Sequence, residues 1–119
     1  MKVRRGDVVL VDYPFSDRTG SKVRPCLVVQ ADRLNQRLDD TIVVTITSRI
    51  AHAASEPAEL LIDETSPAGR QTGLLFASAV QCQNILTVDC SFIRRRIGVF
   101  PADLLLQVNH CLKAALGIH

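Results

Sequence analysis

The chain has 119 residues, of which 47% are hydrophobic and 22% are charged. These fractions are typical of globular chains and exclude intrinsic disorder as the default, and the length is that of one domain covering residues 1–119. The net charge of only +2 by itself says almost nothing about nucleic-acid binding.

The charges are unevenly distributed along the chain. Residues 1–49 carry nine Lys or Arg against six Asp or Glu, residues 50–69 carry none against four, and residues 70–119 carry five against two. The two flanks are therefore basic and the middle is acidic. Any phosphate binding would be local and would use a few arginines, although ordinary solvated charges explain the same pattern.

The first three strands are predicted from β-branched, apolar runs, and they are Val8–Tyr13, Arg24–Gln30 and Thr41–Thr47. The first two are separated by a turn-rich loop over residues 14–22, which contains proline and glycine. Between the second and third strands, residues 32–40 are expected to form one or two helical turns with Asp32 as the N-cap.

In the second half of the chain, residues 48–57 are predicted to be a loop and residues 63–69 a turn. Strands are predicted at Ala58–Ile62, Gly73–Ala79, Asn84–Val88 and Ile97–Phe100. A short helical turn over Phe92–Arg96 is predicted before the last of them, with Ser91 as its N-cap.

The C-terminal segment predicts the strongest helix, which begins at Pro101 and ends at Gly117. Its buried face is expected to comprise the apolar residues at helical spacing, namely Leu104, Leu105, Val108, Leu112, Ala115 and Leu116. Six or seven short strands with one strong helix indicate a mainly β (α+β) fold, a small twisted sheet or half-barrel with the helix packed on it.

The cysteines and histidines do not form a metal-binding pattern. Four cysteines lie far apart without a C-x-x-C pair, at positions 26, 82, 90 and 111, and the three histidines are equally scattered. We expect no metal and no cofactor, and we expect reduced, buried thiols. Neither a secretory signal nor a membrane span is predicted, so we expect a cytoplasmic protein.

Arg24 is the most unusual residue of the second strand, because it directly precedes Pro25. The proline restricts Arg24 to extended geometry, so the guanidinium is held by a stiff backbone where the strand meets the loop. A fixed cation in this position is a candidate anion site. On spacing alone, an ion pair from Arg24 to Asp7 or Asp12 that fastens the edge of the strand is at least as good an interpretation.

Several segments together resemble the MazF/PemK/Kid family of toxin–antitoxin ribonucleases. The chain contains RGDVVLVDYPF and then VRPCLVVQAD, whereas members of the family open with an R-G-[DE] strand and then carry an R-P strand. Residues 41–48, TIVVTITS, resemble the third strand of the family, and residues 96–105, RIGVFPADLL, resemble its closing strand and terminal helix. The resemblance runs nearly from end to end.

The resemblance implies the SH3-like barrel of the CcdB/MazF-like toxin fold, a homodimer, and a cognate antitoxin protein as partner. It implies a sequence-selective, metal-independent endoribonuclease that cleaves single-stranded RNA to 2′,3′-cyclic phosphate and 5′-OH ends. Arg24 would then stabilise the phosphorane, since its fork matches two phosphate oxygens. Thr47, or Ser48 in its place, would orient the phosphate, although a Thr-Ser pair at a strand end commonly satisfies only local backbone groups.

The general base has no assignment from the resemblance. Some members of the family carry a carboxylate where this chain has Gln83, and an amide cannot usefully accept a proton. Asp17, in the first loop, is the nearest substitute. RNA contacts are predicted for Arg18, Lys22 and Arg49, and also for Gln81 and Gln83, whose amides can read base edges.

Two further interpretations remain open. A toxin-fold protein can bind a protein target instead of RNA, as the gyrase-poisoning branch of this fold does, and the missing carboxylate favours that alternative slightly. The other interpretation is an inactive member of the family, whose motifs only hold the strands together. The basic triplet Arg94–Arg96 could grip RNA phosphates, face solvent or meet an acidic antitoxin.

Overall fold

A single antiparallel sheet organises the protein, whose computed structural model describes residues 1–13 and 22–119. The strands are β1 (Asp7–Tyr13), β2 (Lys22–Val28), β3 (Asp40–Thr47), β4 (Glu59–Ile62), β5 (Ser78–Asp89) and β6 (Ile93–Val99). The helices are α1 (Asp32–Asn35), α2 (Pro67–Gln71) and α3 (Ala102–Leu116), with a short 3₁₀ helix at Cys90–Phe92.

The strands lie in the order β4-β5-β3-β2-β1-β6, and every neighbouring pair is antiparallel. The predicted mainly β fold with a C-terminal helix is therefore confirmed, with six strands among the described residues. The predicted loop at residues 14–22 lies outside the described residues, apart from Lys22, the first residue of β2.

Both faces of the sheet carry a cluster of buried apolar residues, and side chains of successive residues in a strand point to opposite faces. Val8 packs in a cluster with Val108 and Cys111 of α3, whereas the next residue, Val9, packs in a second cluster on the other face. The second cluster contains Ile93 of β6 and also residues of β5, although three strands separate β5 from β6 in the sheet. The sheet is therefore strongly curled.

The C-terminal helix follows the prediction closely. Gly117 ends α3 in the left-handed conformation, with φ of 69°, as a C-terminal glycine commonly does. Leu104, Leu105, Leu112 and Ala115 pack against the first core cluster, around the fully buried Val108. Leu116 was wrongly assigned to the buried face, since it is 57% exposed.

Cys111 is a core residue of α3 that the prediction of the buried face omitted. Cys26, Cys82 and Cys111 are buried, whereas Cys90 is half-buried, and all four are free thiols. Burial raises the pKa of Cys82 to about 12, with a smaller contribution from the neighbouring Cys111 thiol. Cys82 and Cys111 thus behave as small hydrophobic residues at neutral pH.

Residues 73–89 contain one strand rather than the two that were predicted. Residues 73–77 precede β5 and are not extended, and Gln81–Gln83 lie within the strand instead of between two strands. A bulge explains the interruption in the apolar pattern. Val44 of β3 pairs with Ile85, whereas the next residue of β3, Thr45, pairs with Gln81. The residues between them have no partner on β3, so their polarity does not break the strand.

The predicted helical turn at residues 92–96 is also wrong. The 3₁₀ helix is capped by Asp89, whose carboxylate accepts a hydrogen bond of 2.8 Å from the backbone N–H of Ser91. This hydrogen bond lowers the pKa of Asp89 below its ordinary value. Pairing with β1 extends the residues from Ile93 onward, so tertiary structure overrides local propensity here.

The turn predicted at residues 63–69 is correct only as far as Ser66. Ser66 caps α2 by accepting a hydrogen bond of 2.9 Å from the Gly69 N–H, and Pro67 occupies the first helical position. A serine followed by a proline is a known start of a helix, and this signal was available in the sequence.

The N-terminal turn is fastened to three other parts of the chain by Arg5. Its side chain donates hydrogen bonds to the Val29 carbonyl (3.0 Å) and to Asn109 of α3 (2.6 Å). Its backbone N–H donates to Asp32 (2.7 Å), so Asp32 holds the N-terminus instead of capping α1 as predicted. The N-cap position of α1 is Ala31, which makes no side-chain hydrogen bond.

A buried amide network fixes α1 to the sheet. The Asn35 side-chain oxygen accepts hydrogen bonds from Gln30 Nε2 (2.9 Å) and Thr41 Oγ1 (2.7 Å), while its amide group donates to the Gln30 carbonyl (3.0 Å). All three residues are buried. Each polar atom that loses its partner there would carry a desolvation cost that water cannot offset.

We predict that Asn35→Ala lowers the free energy of unfolding by about 2–3 kcal/mol, because it leaves buried donors and an acceptor without partners. Urea unfolding measures the change. The matched control is Gln36→Ala, at the next and exposed position, which is expected to change stability by less than about 0.5 kcal/mol. Equal losses for the two variants would contradict the role of the network.

Candidate active site

An open cleft of about 1060 Å³ lies where β2 and β3 stop pairing. The β2–β3 ladder runs from Val28–Val43 to Cys26–Thr45 and ends there. The next residue of β2 is Pro25, which has no N–H to donate to a neighbouring strand. The cleft opens beyond this point, and Pro25 lies in its lining.

Arg24 and Thr47 both line the cleft where the ladder ends. Each lies two residues beyond the last pair of the ladder, Arg24 beyond Cys26 on β2 and Thr47 beyond Thr45 on β3. Ser48 and Arg49, which follow Thr47 in the chain, line the cleft as well. Four residues that were proposed for catalysis or RNA binding are thus found in its lining, and Gln81 is a fifth.

The guanidinium of Arg24 is exposed and makes no hydrogen bond or ion pair within the described part of the chain. The alternative, in which Arg24 pairs with Asp7 or Asp12, is not what the structure shows. Asp7 pairs with Arg96 (3.5 Å) and Asp12 pairs with Arg94 (3.1 Å). Within residues 1–13 and 22–119, no carboxylate neutralises the charge of Arg24.

Thr47 combines a local role with a free donor. Its hydroxyl oxygen accepts a hydrogen bond of 3.1 Å from the Arg49 backbone N–H, which is the local backbone role considered for this residue. A hydroxyl that accepts one hydrogen bond can still donate its proton. The Thr47 hydroxyl can thus donate to an anion that is bound in the cleft.

The lining of the cleft is cationic. Among the described residues it contains four arginines, and it contains neither a carboxylate nor a histidine; the arginines are Arg24, Arg49, Arg95 and Arg96. Only Arg96 has an ion-pair partner in residues 1–13 and 22–119. No group of three or more metal-ligating side chains occurs in those ranges either. The arrangement fits an anion.

Gln81 and Gln83 have different environments. Gln81 lines the cleft, and its side-chain oxygen accepts hydrogen bonds from Thr45 Oγ1 (2.8 Å) and Asn84 Nδ2 (3.3 Å), which leaves its amide group as a donor. Gln83 is exposed outside the cleft and donates to Glu59 (2.7 Å). Gln83 therefore does not occupy the position of a catalytic base in this cleft.

The remaining site residues of the sequence analysis are not brought to the cleft by the described structure. Asp17 and Arg18 lie outside the described residues, and Lys22 lies at the first position of β2. Sequence reasoning named the arginine triplet as one possible contact with RNA phosphates but placed it on a helical turn, so it did not distinguish Arg95 and Arg96 as lining residues.

The segment Gly73–Phe76, which sequence reasoning assigned to a strand, also lines the cleft. Gly73 has φ of +74°, and a Cβ atom there would lie 2.1 Å from the Ile97 carbonyl oxygen of β6. The lack of a Cβ atom at Gly73 thus lets the backbone of this segment lie close to the backbone of β6. At the mouth, Leu75 is 82% exposed and Phe76 is 68% exposed.

Comparison with known proteins identifies the family of the chain. The family model described as PemK-like, MazF-like toxin of type II toxin–antitoxin system matches residues 4–116. An Endoribonuclease MazF from Staphylococcus saprophyticus is 27% identical over 118 residues, which is 98% of this chain and 93% of that protein. The chain therefore belongs to the PemK-like, MazF-like family of toxins of type II toxin–antitoxin systems.

Solved structures share the fold. An endoribonuclease from a mycobacterial species, in complex with its cognate antitoxin, has a TM-score of 0.78 at 20% identity, covering 98% of this chain and 97% of its own. The MazE–MazF structure (Form II) from Deinococcus radiodurans has a TM-score of 0.76 at 21% identity, covering 100% and 99%. The toxin fold expected from the resemblance is thus confirmed.

We predict that Gly73→Ala destabilises the protein by about 2–5 kcal/mol, the sum of left-handed strain and a backbone clash with β6. Gly117→Ala is the matched control, since Gly117 also has positive φ but a Cβ there meets no atom within 4 Å. It is expected to cost only about 1–2 kcal/mol. Thermal or urea unfolding compares the two, and equal costs would contradict the close approach at Gly73.

Proposed function

We propose that this toxin is a metal-independent endoribonuclease that cleaves single-stranded RNA and leaves 2′,3′-cyclic phosphate and 5′-OH ends. The observation that supports this most directly is a cleft lined by four arginines together with the Thr47 hydroxyl, in which Arg24 has no ion-pair partner among residues 1–13 and 22–119. The relative from Staphylococcus saprophyticus is itself called an endoribonuclease. A nuclease of this kind would act as the toxin of a type II pair.

The proposed reaction requires that negative charge on the phosphate be stabilised. The ribose 2′ oxygen attacks the adjacent phosphorus and loses its proton to a base, the bond from phosphorus to the 5′ oxygen breaks, and that oxygen takes up a proton. Negative charge accumulates on the non-bridging oxygens of the phosphorane between these events. Arg24 can hold two of these oxygens in its fork and remains charged at any working pH.

Thr47 would donate its hydroxyl proton to a non-bridging oxygen on the side of the phosphate that faces β3. Because the Arg49 N–H fixes the hydroxyl oxygen, the donor is oriented before the substrate binds. Ser48 is exposed in the same wall and is the alternative donor. Arg49 and Gln81 would contact the RNA from the cleft, and Lys22 and Arg18 remain predicted contacts.

The reaction also needs a base that accepts the 2′ proton. No described residue that lines the cleft is a carboxylate or an imidazole, so Asp17 stays the candidate for the base. The rate acceleration that the described residues can supply is electrostatic. It comes from donors that are already aimed at the position of the phosphorane.

We further propose a cognate antitoxin and a second copy of the chain as protein partners, in the cytoplasm. A mycobacterial structure of this fold is described as a complex with its cognate antitoxin. An acidic antitoxin segment would complement the arginine-lined cleft by charge. No helix of the described residues is long and apolar enough to cross a membrane.

The second candidate function is a toxin that binds a protein target and cleaves nothing. The lack of a carboxylate or imidazole among the described cleft residues favours it. The exposed Leu75 and Phe76 at the mouth would suit a protein partner. RNA product ends separate the two functions, because only a nuclease of the proposed kind creates cyclic phosphates.

We predict that Arg24→Ala lowers kcat for RNA cleavage by about 10²–10³-fold, since one oriented charge contact to the transition state is lost. Arg24→Lys is expected to recover only part of the rate, because an ammonium cannot bind two oxygens in a fork. Single-turnover cleavage of a defined RNA gives the rates.

Arg33→Ala removes the same charge from an exposed position on α1, away from the cleft, and is the control. It should cleave at the wild-type rate. A folded Arg24→Ala variant that retains the wild-type rate would contradict the proposed role of Arg24 in stabilising the phosphorane.

We predict that Thr47→Val lowers the cleavage rate by about 10–100-fold, the effect of losing one hydrogen bond to a charged oxygen. Thr47→Ser keeps the hydroxyl and should remain within a few-fold of wild type. The same single-turnover assay compares them. If Thr47→Val cleaves at the wild-type rate, the hydroxyl is not needed and Thr47 does not act as a donor.

A further inference from the structure

Two arginines of the cleft lining, Arg95 and Arg96 of β6, are not used by the proposed chemistry. Arg95 lies opposite Leu10 of β1, and Leu10 lies opposite Pro25 of β2. Leu10, Pro25 and Arg95 all line the cleft, as expected for one row of cross-strand neighbours on one face. This row forms an apolar floor that ends in a cation.

The spacing across this floor is set by the sheet. Arg95 lies two strands away from Pro25, so their Cα atoms are separated by about 10 Å, twice the distance between neighbouring strands. Arg24, next to Pro25, therefore begins on one side of the floor and Arg95 on the other. Two separate cations suit a chain of phosphates better than they suit a single one.

Arg95 differs from both of its neighbours in the strand. Arg94 pairs with Asp12 (3.1 Å) and is not part of the cleft lining. Arg96 pairs with the buried Asp7 (3.5 Å), whose other carboxylate oxygen accepts a hydrogen bond of 2.9 Å from the Arg4 N–H. Arg95 is exposed and makes no hydrogen bond or ion pair with any residue in the described ranges. Its charge is available to a ligand in the cleft.

We propose that Arg95 binds a backbone phosphate of the RNA next to the one that is cleaved, so that the strand crosses the floor from Arg24 to Arg95. The inference rests on the proposed ribonuclease function and adds to it a substrate-binding residue outside the chemical step. A contact made equally before and during the reaction strengthens binding and leaves the chemical step unchanged. Arg95 should therefore affect KM and the salt dependence of binding, but not kcat.

The test uses Arg95→Ala, Arg95→Lys and the control Arg94→Ala. Binding is measured by fluorescence anisotropy with a fully 2′-O-methylated single-stranded RNA, which cannot be cleaved because its 2′ oxygen carries no proton. Affinity is followed over a series of salt concentrations, and kcat and KM are measured on the unmodified RNA. Because Arg95 is exposed, the variants should fold, and thermal unfolding checks this.

For Arg95→Ala we expect a loss of affinity of about tenfold and a slope of log affinity against log salt that is smaller by about 0.7, the value for one phosphate contact on a single strand. KM should rise while kcat stays within about twofold. Arg95→Lys should keep the wild-type slope, because it keeps the charge. Arg94→Ala should match the wild type in binding and cleavage.

An unchanged salt slope in Arg95→Ala, or an equal loss in Arg94→Ala, would overturn the proposed phosphate contact. So would a variant that binds RNA normally and loses only the affinity for an acidic antitoxin peptide. The two proposals can fail separately. If the wild type cleaves and Arg95→Ala changes neither KM nor slope, only the phosphate contact fails. If the wild type binds through Arg95 and cleaves nothing, only the catalytic proposal fails.

Discussion

The end of the pairing between β2 and β3 is the constraint on which the cleft depends. A continuous ladder beyond Cys26 and Thr45 would close the sheet where the cleft now lies. Pro25 interrupts it, because a proline cannot donate to the neighbouring strand and is tolerated in a sheet only where such a bond is not needed. The residue before it is held extended for the same reason. One proline thus both opens the site and aims Arg24 at it.

The rest of the fold holds this opening in place from several sides. The helix α3 packs against one face of the sheet, and Arg5 ties its Asn109 to the end of β2 near Val29. On the other side, Gly73 lets the segment before β5 approach the backbone of β6. The R-G-D motif therefore has a structural role. Asp7 forms an ion pair with Arg96, and the Arg5 side chain donates a hydrogen bond to Asn109 of α3. The catalytic proposal depends instead on the R-P pair.

The sequence predicted the strands with uninterrupted β-branched runs to within two residues, together with the C-terminal helix. It failed where tertiary pairing decides the conformation. The bulge in β5 places polar residues inside a strand, and the arginine triplet is extended only because β1 lies beside it. Arg24 and Thr47 line the same cleft because β2 and β3 are paired up to Cys26 and Thr45, and no local pattern reveals that pairing. The same holds for Arg95, whose proximity to the cleft follows from its pairing with Leu10.

In the proposed reaction, charge and hydroxyl donors in this cleft support RNA cleavage without a metal ion. The decisive experiment is incubation of the purified protein with a long single-stranded RNA in EDTA, followed by mapping of the product ends. We expect discrete fragments that carry 2′,3′-cyclic phosphate at one end and 5′-OH at the other. RNA that stays intact in the presence of folded protein, or products with 5′-phosphate ends, would contradict it.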